Sequence, residues 1–194
     1  EWEKNFSPIN IEEKVLIRAE FHEPRPDLHE IIIQPKMSFG TGHHPTTHLM
    51  IQQMLDMDFT DKKVLDMGCG TSVLAIYAKQ RGANEVTAID IDEWSVENSI
   101  ENAERNSVQL NISQGTAESL GAESYDIILA NINRNILISD IPTYVSVLKD
   151  KGQLLLSGLC FFDVEDILQV CNEQGLKLTH QQQREEWCSL LLEK

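Results

Sequence analysis

The sequence predicts an α/β sandwich on a mostly parallel sheet, with an antiparallel hairpin at one edge. Three observations carry this. From residue 45 onward, short apolar or β-branched segments alternate with helical segments of 10 to 15 residues, the pattern of strands joined by crossover helices. The run 126–130 is nearly all apolar, as a strand covered on both faces should be. Two last strands come close together near the C-terminus, which suits a hairpin.

Residues 15–21 and 30–34 read as short β segments, separated by the breaker-rich Glu23-Pro24-Arg25-Pro26-Asp27. We expect residues 1–36 to form an N-terminal β extension or linker and residues 37–194 the main domain. Pro45 suits the first turn of a helix that runs through Leu55. Val64-Leu65-Asp66 is a strand ending at a glycine cluster, and a helix follows from Val73 to Gln80. The next strand is 85–90, with β-branched Val86, Thr87 and Ile89. A helix over 93–106 would set Val96, Ile100 and Ala103 on one apolar face. After the strand 126–130 come a helix to about Leu148, a strand over 153–157 and a helix over 161–174. Strands near 176–179 and 188–192 close the chain, with Gln181-Gln182-Gln183 as a polar loop between them. Right-handed crossovers place the C-terminal ends of the parallel strands on one edge, where ligands bind.

Composition narrows the function. With 41% hydrophobic and 24% charged residues among 194, the chain has an ordinary globular balance. No apolar run approaches the ~20 residues that cross a bilayer, and no basic-then-apolar leader opens the sequence. A soluble, cytoplasmic protein without a membrane partner is expected. Sixteen Lys and Arg against 31 Asp and Glu give −15, which argues against direct nucleic-acid binding and suits a basic protein partner. Cys69, Cys160, Cys171 and Cys188 form no CxxC pair and read as reduced thiols.

The most informative stretch is Asp66-Met67-Gly68-Cys69-Gly70-Thr71-Ser72. Gly68 and Gly70 allow a tight turn and close approach of a ligand, and the helix starting near Val73 would turn its N–H groups toward a carboxylate or phosphate. A dinucleotide fingerprint needs a third glycine where Val73 stands, and no Gly-Lys-Ser/Thr follows for a P-loop. Asp66 just ahead of the glycines would repel a pyrophosphate but suits an ammonium. S-adenosylmethionine carries that ammonium, together with a carboxylate and a sulfonium. Asp90, 20 residues beyond Gly70 at the end of the next strand, is placed to accept two ribose hydroxyls.

Asn131 ends the strand beside the glycine-loop strand, where its carbonyl could orient an incoming amine or hold the methionine moiety. It is followed by Ile132-Asn133-Arg134, without an aromatic clamp for a flat substrate, so a flexible aliphatic amine is the better expectation. His44 and His48 stand four apart on the helix start, but no third ligand lies at short spacing, so no metal is expected and cap packing is the preferred role. Cys69, between two glycines, suits packing rather than nucleophilic chemistry.

With these residues assembled, the chain resembles the class I S-adenosylmethionine-dependent methyltransferases, and within them the family that methylates large-subunit ribosomal protein eleven. The match is carried by Met37-Ser38-Phe39-Gly40-Thr41-Gly42-His43-His44-Pro45-Thr46-Thr47, by residues 64–76, by Ala88-Ile89-Asp90-Ile91-Asp92, by Leu129-Ala130-Asn131-Ile132 and by Glu185-Glu186-Trp187-Cys188. The resemblance implies a Rossmann-like sandwich with a mostly parallel seven-stranded sheet and an antiparallel edge hairpin. It implies S-adenosylmethionine contacts at Thr47, Gly68, Asp90 and Asn131, and a loop of Phe39, Gly40, Thr41 and Gly42 folding over the cofactor. The activity implied is methyl transfer to lysine or α-amino nitrogens of a basic ribosomal protein. A small-molecule amine methyltransferase and a non-catalytic cofactor-binding half of a two-domain enzyme are the alternatives.

Two departures accompany the resemblance. The family's Cys-Gly-Ser-Gly becomes Cys69-Gly70-Thr71-Ser72, which stiffens the loop at its last position. The family also carries an N-terminal domain that holds the substrate, and about three dozen residues precede the Phe39 loop. We therefore expect cofactor binding with slow turnover of the protein substrate.

Overall fold

Two sheets organise the chain, whose computed structural model describes residues 5–34, 36 and 39–194. Met37 and Ser38, named above, lie outside the described residues. The smaller sheet holds β1 (Ile9–Ile11), β2 (Val15–Arg18) and β3 (His29–Ile32), with β1 antiparallel and β3 parallel to β2. β2 stops at Arg18 because the next residues turn: Ala19 N–H donates to His22 Nδ1 at 3.0 Å. β1 is only three residues long, too short for its alternation to stand out in sequence.

The larger sheet has the order β6-β5-β4-β7-β8-β10-β9. It is built from β4 (Lys63–Met67), β5 (Glu85–Asp90), β6 (Asn111–Gln114), β7 (Tyr125–Asn131), β8 (Leu148–Cys160), β9 (Lys177–Arg184) and β10 (Trp187–Glu193). Helices α1 (Pro45–Met54), α2 (Val73–Gln80), α3 (Glu93–Arg105), α4 (Arg134–Ser146) and α5 (Val164–Glu173) fill the intervals. β4 pairs in parallel with β5 on one side and β7 on the other. The chain steps outward from β4 to β6, then returns across β4 to β7. That reversal opens a crevice at the strands' C-terminal ends.

Side-chain alternation builds a core on each face. Val64, Ile127, Leu129 and Leu155 point into one cluster, with α1, α2 and the small sheet. Leu65, Ile128, Ala130, Leu154 and Leu156 point into the other, with α4 and α5. Both faces being covered explains why β7 is apolar almost throughout. No helix among the described residues is long and apolar enough to cross a membrane.

The closing hairpin lies at the sheet edge as expected, with β10 antiparallel between β8 and β9 and β9 outermost. Three local expectations need correction. Gln181, Gln182 and Gln183 lie inside β9 rather than in a loop. Their polarity reflects the exposure of an edge strand, which pairs through its backbone whatever its side chains. Phe161–Asp163 forms a 3-10 turn, and α5 starts only at Val164. The buried face of α3 is polar, made of Ser95, Asn98, Ser99 and Asn102 beside Ala103, while Ile100 is exposed. Its partner is not an apolar layer but the glycine loop.

Candidate cofactor and methyl-transfer site

The glycine loop between β4 and α2 is held from three sides. From β5, Ile89 O accepts the N–H groups of Gly68 and Cys69 at 2.8 and 3.0 Å, and Asp90 Oδ2 accepts that of Gly70 at 2.9 Å. From α3, Ser99 Oγ donates to Gly70 O at 2.8 Å and Asn102 Nδ2 to Thr71 O at 3.0 Å. From the segment before α1, Phe39 O accepts Thr71 N–H at 2.8 Å and Gly40 O accepts the Thr71 hydroxyl at 2.7 Å. Gly70 must lack a side chain, because a Cβ there would lie 2.3 Å from Phe39 O. A Cβ on Gly68 would meet Ile132 at the same distance. Ser72, standing where the family's last glycine would be, holds φ +65°.

Two adjoining clefts open at this edge and share Gly68, Ile132 and Ile136. The first, of about 430 Å3, is lined by Met67, Asp90, Gly115, Glu118, Asp140 and Tyr144. Asp90 is nearly buried, and its Oδ1 also accepts Asp92 N–H at 2.9 Å. An ionised carboxylate offers about four lone-pair sites, so each oxygen keeps one for a further donor. Burial and the charge of Glu118 push the Asp140 carboxyl up, against the bond it accepts from the Tyr144 hydroxyl. Three carboxylates with no cation among the described lining residues suit a cationic ligand and repel a pyrophosphate.

The second cleft, of about 330 Å3, is lined by Phe39, His44, Thr46, Asn131, Gly158 and Trp187. His44 is the N-cap of α1, its Nδ1 accepting Thr46 N–H at 3.2 Å. Its ring lies 5.2 Å from Phe39 and 4.8 Å from Trp187, centroid to centroid. Asn131 is almost buried, and its Oδ1 has no hydrogen-bond partner among the described residues. A buried acceptor without a protein partner is costly, and this carbonyl, on the wall of the second cleft, is open to a ligand donor.

The remaining expected residues divide. Phe39 lines the second cleft, and Gly40 is tied to the glycine loop. Thr41 Oγ1 pairs with His43 Nδ1 at 3.2 Å, and Gly42 packs against β2 near Ile17. Thr47 is buried with its hydroxyl unpaired among the described residues, and Thr46 rather than Thr47 lines the cleft. Asp66 is 1% exposed and lines neither cleft. It sits behind the loop and accepts a backbone bond from Ala75 in the first turn of α2, and burial pushes its carboxyl up to about 8. Val73 N–H meanwhile donates to Thr71 Oγ1 at 3.3 Å. These N–H groups of α2 are therefore satisfied by the chain's own side chains rather than held open for a ligand, contrary to expectation. Cys69 is buried, with its thiol pushed up to about 12, mainly by burial, as its packing role requires. No group of three metal-ligating side chains occurs among the described residues.

Sequence reasoning missed Glu118, Asp140, Tyr144 and the site position of Trp187. Glu118 follows β6 at a strand's C-terminal end and was readable had that strand been recognised. Asp140 and Tyr144 are four apart on one face of α4, which only the packing aims at the crevice.

Comparison with known proteins shows the family and the fold. The sequence profile described as ribosomal protein L11 methyltransferase (PrmA) matches residues 1–194. The chain belongs to the ribosomal protein L11 methyltransferase family. It is 47% identical over 194 residues to the enzyme of that name from Bacteroides fragilis, covering 98% of this chain and 69% of that one. The namesake from Porphyromonas gingivalis is 48% identical, with 98% and 67% covered. The crystal structure of the ribosomal protein L11 methylase from Lactobacillus delbrueckii subsp. bulgaricus superposes with a TM-score of 0.89 at 28% identity, covering 95% of this chain and 97% of that one. The fold is thus that of the class I methyltransferases.

Proposed function

We propose that the chain is an S-adenosylmethionine-dependent methyltransferase acting in the cytoplasm on amine nitrogens of ribosomal protein L11, a basic substrate. The observation that carries this is the pair of clefts meeting at Gly68 and Ile132, one acidic and one offering the unpaired Asn131 carbonyl. Family membership supports the substrate class.

The residues suit the cofactor. The free lone pairs of Asp90 would accept ribose hydroxyls, and Gly68 would let the ligand lie against the backbone. Residues 39–42, tied to Thr71 by two hydrogen bonds, would cover it. Asn131 would hold the methionine moiety or the incoming amine. S-adenosylmethionine supplies a methyl group on a positively charged sulfur, open to attack by a nitrogen lone pair.

What the chain must contribute is position and a deprotonated amine. His44 is the one titratable side chain among the described residues lining the second cleft. Its Nδ1 is engaged by Thr46 N–H in capping α1, so this nitrogen is not open to the amine's proton. The amine therefore enters already neutral, and Asn131, Phe39 and Trp187 align it. Incubation with methyl-labelled S-adenosylmethionine and purified L11 tests the reading. Label on L11 amines is expected, whereas label only on small amines, or on nothing despite bound cofactor, would replace it.

A further inference from the structure

We propose that the exposed Phe161–Phe162 pair is a docking point on this domain for the methyl-acceptor protein, a basic polypeptide that presents an apolar side chain beside its target amine. This rests on the function proposed above. Phe161 and Phe162 are 54% and 68% exposed, with ring centroids 5.4 Å apart edge to face. They occupy the 3-10 turn that ends β8, on the sheet edge where both clefts open.

The pair adjoins the transfer cleft. Gly158, three residues before Phe161, lines it, and so does Trp187, which pairs with Cys160 across β8 and β10. The turn is fixed: Phe161 N–H donates to Glu186 O at 2.8 Å, and Asp163 Oδ2 accepts Cys160 N–H at 3.1 Å. Buried Val164, Ile167 and Cys171 anchor the helix that follows. The rings are thus held out to solvent by a rigid frame, which lowers the ordering cost of binding.

Charge selects the occupant. Asp163, Glu165, Asp166, Glu185 and Glu186 surround the turn in sequence or pairing, against Arg134 and Arg184. Arg134 is already paired with Asp163 and Asp166. A second copy of this chain, at −15, would press one acidic rim on another, whereas a cationic protein is drawn to it. Of the other exposed apolar residues near the crevice, Phe39 and Ile136 line the transfer cleft itself, and Ile91 and Trp94 follow Asp90 at the far cleft.

The test is the Phe161→Ser/Phe162→Ser double variant, whose substitutions are on the surface and leave Asp163 in place. Equilibrium binding of L11, S-adenosylhomocysteine affinity, and methylation rates on L11 and on a short lysine peptide are measured for both proteins. We expect L11 binding to weaken about tenfold or more and KM for L11 to rise in step, with cofactor affinity and the peptide rate unchanged. Unchanged L11 binding would overturn the proposal, as would a wild-type dimer in sedimentation that the variant dissolves. Failure of the function itself looks different: L11 would bind through the pair without gaining methyl groups.

Discussion

Ser72 holds a left-handed backbone at φ +65°, and its hydroxyl donates to Ser99 Oγ at 2.7 Å. The left-handed conformation costs a residue with a Cβ about 1–2 kcal/mol, and the buried hydrogen bond returns about 1 kcal/mol. Ser72→Gly should therefore relieve the first term while losing the second, leaving the melting temperature within about 2 °C of wild type. Ser72→Ala keeps the strain and loses the bond, and should melt about 2–4 °C lower. Calorimetry that found glycine the more damaging of the two would contradict this.

Asp90 joins two tasks. It accepts Gly70 and Asp92 N–H groups and still faces the first cleft. Asp90→Ala should weaken S-adenosylhomocysteine binding about ten- to a hundredfold, with a folded circular dichroism spectrum. An unchanged dissociation constant in titration calorimetry would remove Asp90 from the ligand.

Asp66 gives a pH signature. Its carboxyl titrates near 3.8 when unfolded and at about 8 in the fold. A group whose folded pKa is raised contributes stability that is complete below the unfolded value and is lost as pH rises through the folded one. The advantage of Asp66→Asn over wild type in melting temperature should therefore grow from pH 4 to pH 8. A constant difference across that range would show that the carboxyl is not held protonated.

His44 should set geometry rather than take a proton. His44→Asn keeps a capping acceptor for α1. Both proteins should show kcat/KM rising with pH from 7 to 9, toward the ordinary lysine pKa of ~10.4. A plateau near neutrality that vanishes in the variant would make His44 a base.

Much of this was legible because strong local signals and the fold agreed. The helix Val73–Gln80 and the strand Glu85–Asp90 lie where read, since Ser72, Gly82 and β-branched runs bound them. The misses share a cause. α3 buries Ser99 and Asn102 because its neighbour is a loop rich in backbone donors and acceptors, so hydrophobic periodicity chose Ile100, on the wrong face. β9 hid behind its glutamines because edge strands need no apolar face. Asp66 was readable as an acid before glycines, but its burial behind the loop depends on packing. Asp140 reaches the cleft only through the orientation of α4.

The measurement that tests the central claim most directly is peptide-level mass spectrometry of L11 after incubation with S-adenosylmethionine and either wild-type chain or Asp90→Ala. The account predicts whole-methyl mass increments on amine nitrogens with wild type, reduced with Asp90→Ala at limiting cofactor. Increments that are equal in the two, or absent from L11 while S-adenosylhomocysteine binds tightly, would contradict it.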